Sequence, residues 1–155
     1  ILFSLKNFIR ANSVDLLLFD RTLLIMSERF LLSNTSAIIN AMKHDKIKII
    51  GHPDNGYYPV DYEKLALAAK EYNVLLELNN SSVRPDGERL NSRENMKILL
   101  KYCAQHQTNL IINSDAHIAN DVGNHKYVHQ ILTEVNFPST LIVNTSVDKF
   151  KKFID

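Results

Sequence analysis

Two side chains of the sequence have the types and the spacing that a metal-dependent hydrolytic site needs. Asp115 and His117 follow directly after the apolar run at residues 110–112. Because strand side chains alternate between two faces, residues two positions apart point the same way wherever the strand reaches them. A carboxylate oxygen and an imidazole nitrogen together suit a divalent ion such as Zn, Mn or Fe. The alternative is a helix-capping Asp beside a surface His.

A second stretch of the chain is built in the same way. The β-branched residues 47–50 are followed by Gly51, His52 and Pro53. Pro53 disfavours the helical conformation for His52 and predicts that the strand stops there. Two strands would then end in a ligand-type residue at the edge where α/β folds build their sites. We therefore expect His52, Asp115 and His117 to lie together at one mouth of the sheet.

The elements that would position these residues alternate between strands and helices. Apolar runs predict strands at residues 14–19, 47–50, 74–78, 110–112 and 141–143. Apolar spacing and capping residues predict helices at 36–44, 61–72, 92–103, 127–135 and 147–154, with Asn34 or Thr35, Asp61 and Ser92 as caps. This alternation predicts an α/β fold of mostly parallel strands, as a sheet or a barrel of right-handed βαβ units.

Composition limits the class of protein. With 155 residues and 45% apolar content, the chain is long enough for a single domain, 1–155, with its own core. Its 18 Lys and Arg against 17 Asp and Glu give no electrostatic case for binding nucleic acid or an acidic membrane. The single Cys103 excludes an intramolecular disulfide and favours a cytoplasmic setting. Residues 1–13 lack the apolar core of a signal peptide, and 23–32 are too short to cross a bilayer.

Several separated segments together resemble one family. They are Ile50-Gly-His52-Pro53, Leu76-Glu-Leu-Asn-Asn-Ser-Ser82, Ser92-Arg-Glu-Asn95, Asn113-Ser-Asp-Ala-His117 and Asp121-Val-Gly123. In this order and spacing they are similar to the later motifs of the polymerase-and-histidinol-phosphatase (PHP) family, and most of all to its YcdX-type phosphatases. The resemblance is strongest over residues 34–155.

This resemblance implies a fold, a chemistry and a set of ligands. The fold would be the C-terminal portion of a distorted (βα)7 barrel. Family members hold three metal ions, commonly zinc or manganese, and hydrolyse small phosphorylated substrates. By position in the motifs, His52, Asp115 and His117 would be ligands of three different metals, with Asp115 and His117 at the catalytic centre.

The sequence also departs from the family pattern. The His-x-His of the first motif is absent, and the Glu of the second would precede Ile1. A further ligand His would fall at Thr22. We therefore expect a fragment, a processed product or a degenerate gene product that alone binds metal weakly and hydrolyses little. We also expect it to self-associate or to pair with a missing N-terminal half. The alternative function is a non-catalytic PHP-like fragment that serves as a scaffold or binds a partner.

Other polar residues are interpreted as structural. Glu77 interrupts an apolar strand, and we expect it to be a charge that is paired inside the barrel. Arg84 and the loop at 79–82 are placed to contact a phosphate, although a solvated loop residue is the favoured interpretation for Arg84. His125 and His129 are four residues apart without the acidic partner of a zinc helix, so we expect them to be surface residues.

Overall fold

The computed structural model describes residues 13–87 and 89–154. The elements are helix α1 (Ser13–Met42), strand β1 (Ile49–Ile50), α2 (Tyr62–Glu71), β2 (Leu75–Asn79), α3 (Ser92–His106), β3 (Leu110–Asn113), α4 (Lys126–Glu134) and α5 (Val147–Ile154), with 3-10 turns at Ala119–Asp121, Ser139–Leu141 and Val143–Thr145. The predicted α/β class is confirmed. The prediction that residues 1–13 form no signal peptide concerns a segment that lies, apart from Ser13, outside the described residues.

The strands form one parallel sheet in the order β1-β2-β3. Leu76 of β2 is aligned with Ile50 of β1 and with Leu110 of β3. Every residue of β2 is buried, as expected for the central strand of a parallel sheet that is covered on both faces. The sheet thereby fixes three strand ends at one edge.

Apolar side chains cover the sheet on both faces. The larger core contains Leu76 and Leu78 of β2, Leu110 of β3 and the buried residues of α2, α3 and α4. On the opposite face, Leu75 and Ile111 pack in a smaller cluster with Phe150 and Phe153 of α5. Along β2, Leu75 faces the smaller cluster, whereas Leu76 and Leu78 face the larger core. Each large apolar side chain that is removed from water contributes about 1.5–3 kcal/mol, so burial on both faces holds the strand in this orientation.

Helix α2 begins where the sequence predicts. The Asp61 carboxylate accepts a hydrogen bond from the backbone N–H of Lys64 over 3.0 Å, which satisfies one of the free donors of the first turn. Leu65, Ala66, Ala68 and Ala69 are buried and pack against the rest of the core. The chain turns after the helix at Asn73, whose φ is 54°. Asn tolerates this left-handed conformation better than most residues.

Two predicted strands are wrong. Residues 14–19 belong to α1 rather than to a strand. Short apolar runs do not separate the two structures, and Leu, which supplies three of these six residues, is among the better helix formers. Residues 141–143 make only one strand-like bridge, between Leu110 and Ile142, because 3-10 turns lie on either side of it. The described part of the chain therefore contains three strands rather than five.

Two predicted helix caps are also wrong. Thr35 lies inside α1, where its hydroxyl donates to the Leu31 carbonyl over 2.6 Å. The helix 92–103 forms as α3, but Ser92 is its first residue, and the capping position belongs to Asn91 in the left-handed region. The helices at 127–135 and 147–154 are confirmed as α4 and α5. Across residues 13–87 and 89–154, no helix combines the length and apolar character needed to cross a membrane.

Candidate functional site

The carboxyl edge of the sheet carries the residues that the sequence singles out. His52 lies two residues beyond β1, and Asp115 lies two residues beyond β3. Because the strands are parallel, these residues leave the sheet at the same edge, on either side of β2. The side chain of His117 follows on the same connection as Asp115. The structure thus places the three predicted residues at one edge of the sheet, but it does not bring their side chains together as one group of ligands.

Buried Glu77 of β2 ties the flanking segments to the central strand. Its Oε2 atom accepts the backbone N–H of His52 over 2.7 Å and the Asn79 amide over 3.2 Å. Its Oε1 atom accepts the amide of Asn113, the last residue of β3, over 2.8 Å. Within the described residues its hydrogen-bond partners are neutral N–H groups rather than the paired charge that we expected. Glu77 therefore sets the position of the segment after β1 relative to the end of β3.

Two of the candidate residues have an uncommon backbone conformation. His52 has a φ of 33° and Asp115 a φ of 51°. Residues other than Gly rarely adopt positive φ, and such residues cluster at functional sites. The strand alternation that was predicted to align Asp115 with His117 is wrong, because β3 ends at Asn113. Instead, the Nδ1 atom of His117 lies 2.9 Å from the Asp115 carbonyl oxygen.

The His117 contact defines which ring nitrogen is available. Because a carbonyl oxygen only accepts, Nδ1 must carry the proton and donate it. The neutral ring then presents its Nε2 lone pair, and the side chain is exposed. Metal-binding histidines are commonly oriented by a hydrogen bond of this kind. His117 is thus held in a form that suits a ligand or a proton acceptor.

Arg89 is a site residue that sequence reasoning missed. Its Nη1 atom donates to the Ser82 hydroxyl over 2.6 Å and to the Asn79 side-chain oxygen over 3.3 Å. Its Nη2 atom donates to Asp115 Oδ2 over 3.3 Å. The amide of Asn79 and then the guanidinium of Arg89 hold the pKa of the Asp115 carboxyl below its usual value. Asp115 is therefore an anion at neutral pH.

Arg84 is a partly exposed loop residue whose guanidinium pairs with two carboxylates. Its Nε and Nη2 atoms donate to Asp86 over 3.1 and 3.0 Å, and Nη1 donates to Asp121 over 3.4 Å. A planar guanidinium that is held by several bonds is better positioned than a single exposed ion pair. Arg84 consequently joins the loop after β2 to the loop after β3.

Two adjacent cavities open between these loops. One has a volume of about 380 Å³ and is lined by Ser81, Arg84, Asp86, Gly87, Arg89, Asp115 and His117. The other has a volume of about 310 Å³ and shares Ser81, Arg84, Asp115 and His117 with the first. We call them the arginine cavity and the amide cavity. Among the described residues, Asp115 and His117 line both cavities, whereas His52 lines neither.

Asp54 is a second residue that the sequence did not reveal. Its side chain is completely buried, and burial raises the pKa of its carboxyl. Neither oxygen has a hydrogen-bond partner among the residues that the structure describes, and the same holds for the nearby Ser92 hydroxyl. Buried carboxyls are uncommon, so the burial of Asp54 indicates a role. In the sequence, the only sign of that role was the position of Asp54 shortly after His52.

The candidate ligands do not make up a metal site by themselves. Among the side chains that the structure describes, at residues 27–87 and 89–153, no group of three or more His, Cys, Asp or Glu is arranged to hold an ion. The donor types of Asp115 and His117 suit zinc or manganese, but a stable zinc site normally needs at least three protein ligands. The described residues therefore do not fit a complete metal centre.

The remaining histidine pair lies outside both cavities. His125 immediately precedes α4 and His129 lies in its first turns, with ring centroids 6.2 Å apart. Burial, and then the neighbouring His129, lowers the pKa of His125. His129 is exposed as predicted, whereas His125 is half-buried.

The chain is similar to several proteins that are called probable phosphatases. It is 38% identical to one from Clostridium novyi over 121 residues, which is 78% of this chain and 49% of the relative. It is 39% identical to one from Thermoanaerobacter sp., with the same coverage of both chains. It is 40% identical to one from Caldanaerobacter subterraneus, over 78% of this chain and 47% of the relative. No family model matches the chain. The chain therefore spans about half the length of these curated relatives.

Proposed function

We propose that this chain is part of a metal-dependent phosphoric monoester hydrolase of the PHP type, with His52, Asp115 and His117 among its ligands. The similarity to probable phosphatases supports the phosphatase activity. The arrangement of Asp115 and His117 beside two arginines, in a cavity of small-molecule size, supports the location of the site.

The proposed metal dependence rests on the charges of the residues that line the two cavities. The described lining of the arginine cavity has two guanidinium groups, of Arg84 and Arg89, and two carboxylates, of Asp86 and Asp115. The amide cavity has one guanidinium, of Arg84, and two carboxylates, of Asp115 and Asp121. A phosphate dianion needs a net positive surrounding, and the paired arginines do not provide it. Added cations would supply the missing charge.

The missing ligands have to come from outside the described residues. We propose that the chain pairs with a segment that corresponds to the rest of its relatives, since it spans about half of their length. The two-residue edge strand β1, with Ile49 37% exposed, is a surface that such a segment could extend. In the proposed pair, Asp115 and His117 would contribute ligands, and Arg84 and Arg89 would contact the phosphoryl oxygens.

The test combines this chain with the part of the Clostridium novyi relative that lies outside the match. We expect the chain alone to retain little metal after dialysis and to hydrolyse an aryl phosphate near the background rate. We expect the mixture to take up zinc or manganese and to hydrolyse the ester. His117→Ala should abolish the hydrolysis, whereas the matched change His129→Ala, at an exposed histidine outside both cavities, should leave it intact.

A second candidate function is a non-catalytic scaffold. The lack of a three-ligand group in the described part of the chain favours it. A mixture that associates but neither takes up metal nor hydrolyses the ester would support the scaffold and contradict the hydrolase. Failure of the two parts to associate would contradict the proposed pairing.

A further inference from the structure

The amide cavity lies where the alcohol portion of a phosphate ester would extend. The amide cavity shares Asp115 and His117 with the arginine cavity. A phosphoryl group held by these two residues would therefore lie at the boundary between the two cavities. Its volume of about 310 Å³ is at the lower end of small-molecule sites. The remaining lining residues of the amide cavity are therefore placed to recognise the group that is esterified.

Two amide donors in this cavity have a fixed orientation. The side-chain oxygen of Asn80 accepts the backbone N–H groups of Tyr127 and Val128 over 2.9 and 3.2 Å. The side-chain oxygen of Asn124 accepts the N–H of Lys126 over 3.2 Å. Because these oxygens must face N–H groups, neither amide can flip, and each leaves its NH₂ group as the donor.

Hydroxyl groups and the apolar side chain of Ile118 also line the amide cavity. The hydroxyl groups of Ser81, Ser114 and Tyr127 have no hydrogen-bond partner elsewhere in the part of the chain that the structure describes, and the same holds for the NH₂ groups of both asparagines. The Asp121 carboxylate adds an acceptor beside Arg84. The cavity thus offers neutral donors together with hydroxyl and carboxylate acceptors.

From this lining we propose that the amide cavity binds the alcohol portion of the substrate, and that this portion is a small polyol or sugar. The inference rests on the proposed phosphatase function. A hydroxyl group both donates and accepts, so each one can pair with an amide donor and with an acceptor such as Asp121. An aryl group would leave these donors unpaired, so it should add nothing to the affinity that the phosphoryl group already has.

The test is calorimetric titration, in the presence of manganese, of the chain mixed with the part of the Clostridium novyi relative that lies outside the match, using inorganic phosphate, phenyl phosphate, glycerol phosphate and glucose 6-phosphate as probes. We expect the two polyol phosphates to bind about tenfold more tightly than inorganic phosphate, a difference of about 1.4 kcal/mol that corresponds to one or two retained hydrogen bonds. Phenyl phosphate should gain nothing over inorganic phosphate.

Two variants separate this inference from the function on which it rests. Asn124→Ala and Tyr127→Phe should weaken the binding of the polyol phosphates and leave that of inorganic phosphate unchanged. Tyr127→Phe removes only one oxygen atom, so it keeps the test valid if Asn124→Ala disturbs the start of α4. Tyr102→Phe, at a half-buried tyrosine of α3, is the matched control. Equal affinities for inorganic, phenyl and polyol phosphates would overturn the inference alone. Absence of binding by every probe would overturn the proposed function as well.

Discussion

Replacement of Glu77 tests whether the carboxyl edge is organised by this buried carboxylate. Glu77→Ala leaves the N–H of His52 and the amides of Asn79 and Asn113 without their acceptor. An unsatisfied buried polar group costs about 1–3 kcal/mol, and the loss of bonds to a charged acceptor lies in the upper part of that range. Because Asn113 is half-buried and His52 is exposed, their N–H groups can turn to water, and only the Asn79 amide stays buried. We therefore expect a loss of about 2 kcal/mol in the free energy of unfolding.

Glu77→Gln should be much milder, for a geometric reason. The Gln oxygen can still accept from His52 and Asn79, and its NH₂ group meets Asn113, whose amide can rotate to present its oxygen. We expect a loss of about 1 kcal/mol. The exposed Glu94→Ala, which breaks only an ion pair with Lys97, is the matched control and should change stability by less than about 0.5 kcal/mol.

The assay is urea unfolding at neutral pH followed by circular dichroism, together with the backbone amide NMR signal of His52 in each variant. Glu77→Ala should shift that signal strongly, whereas Glu77→Gln should shift it little, because the bond from His52 is kept. Equal destabilisation by the Ala and Gln variants would refute the reasoning. So would an unchanged His52 signal in Glu77→Ala.

Two further predictions concern the helix cap and the loops. Asp61→Ala should destabilise the chain by about 1 kcal/mol at neutral pH, which urea unfolding measures. Burial alone would raise the pKa of Asp61, but the hydrogen bond from the Lys64 N–H outweighs it and lowers that pKa below the usual 3.8. The stability that Asp61 provides relative to Ala should therefore disappear as the pH falls below about that value. Asp61→Asn should lack this acid dependence, and its presence there would contradict the assignment. Gly56→Ala should lower the free energy of unfolding by about 1–3 kcal/mol, because a Cβ would lie 2.4 Å from the Leu90 carbonyl oxygen. Thermal or urea unfolding measures this loss. A neutral result would show that the loops are not held as described.

The central part of the fold follows from local patterns in the sequence. Strand β3 was predicted from a continuous apolar run and β2 from a run that only Glu77 interrupts, since strands buried on both faces carry mostly apolar side chains. Asp61 was identified because its side chain acts only three residues away. The error at residues 14–19 has the same origin, because a Leu-rich run lacks the period that separates a strand from a helix.

The candidate site was predictable only in part, because its contacts join distant segments. His52, Asp115 and His117 were found from residue type and their position after strands. Arg89 reaches Asp115 from 26 residues away, and nothing in its own loop distinguishes it from other exposed arginines. Two of the three donors to Glu77, from His52 and Asn113, depend on the register of parallel strands, which a single sequence does not specify. The burial of Asp54 depends likewise on how one loop packs on another.

The contact at Gly56 has a consequence for how the site can move. The Gly56 N–H donates to the Leu90 carbonyl over 2.9 Å, and the Asn95 amide donates to the Asp54 carbonyl over 2.9 Å. These bonds join the loop that carries His52 to the loop that carries Arg89, so the two should fluctuate as one body. Motions that widen the cavities on the microsecond timescale of loops are then expected on the opposite side, in the connection after β3. In this connection Gly123 has a φ of 75° and open space where a side chain would lie. The ion pair between Arg84 and Asp121 restrains the motion of the connection.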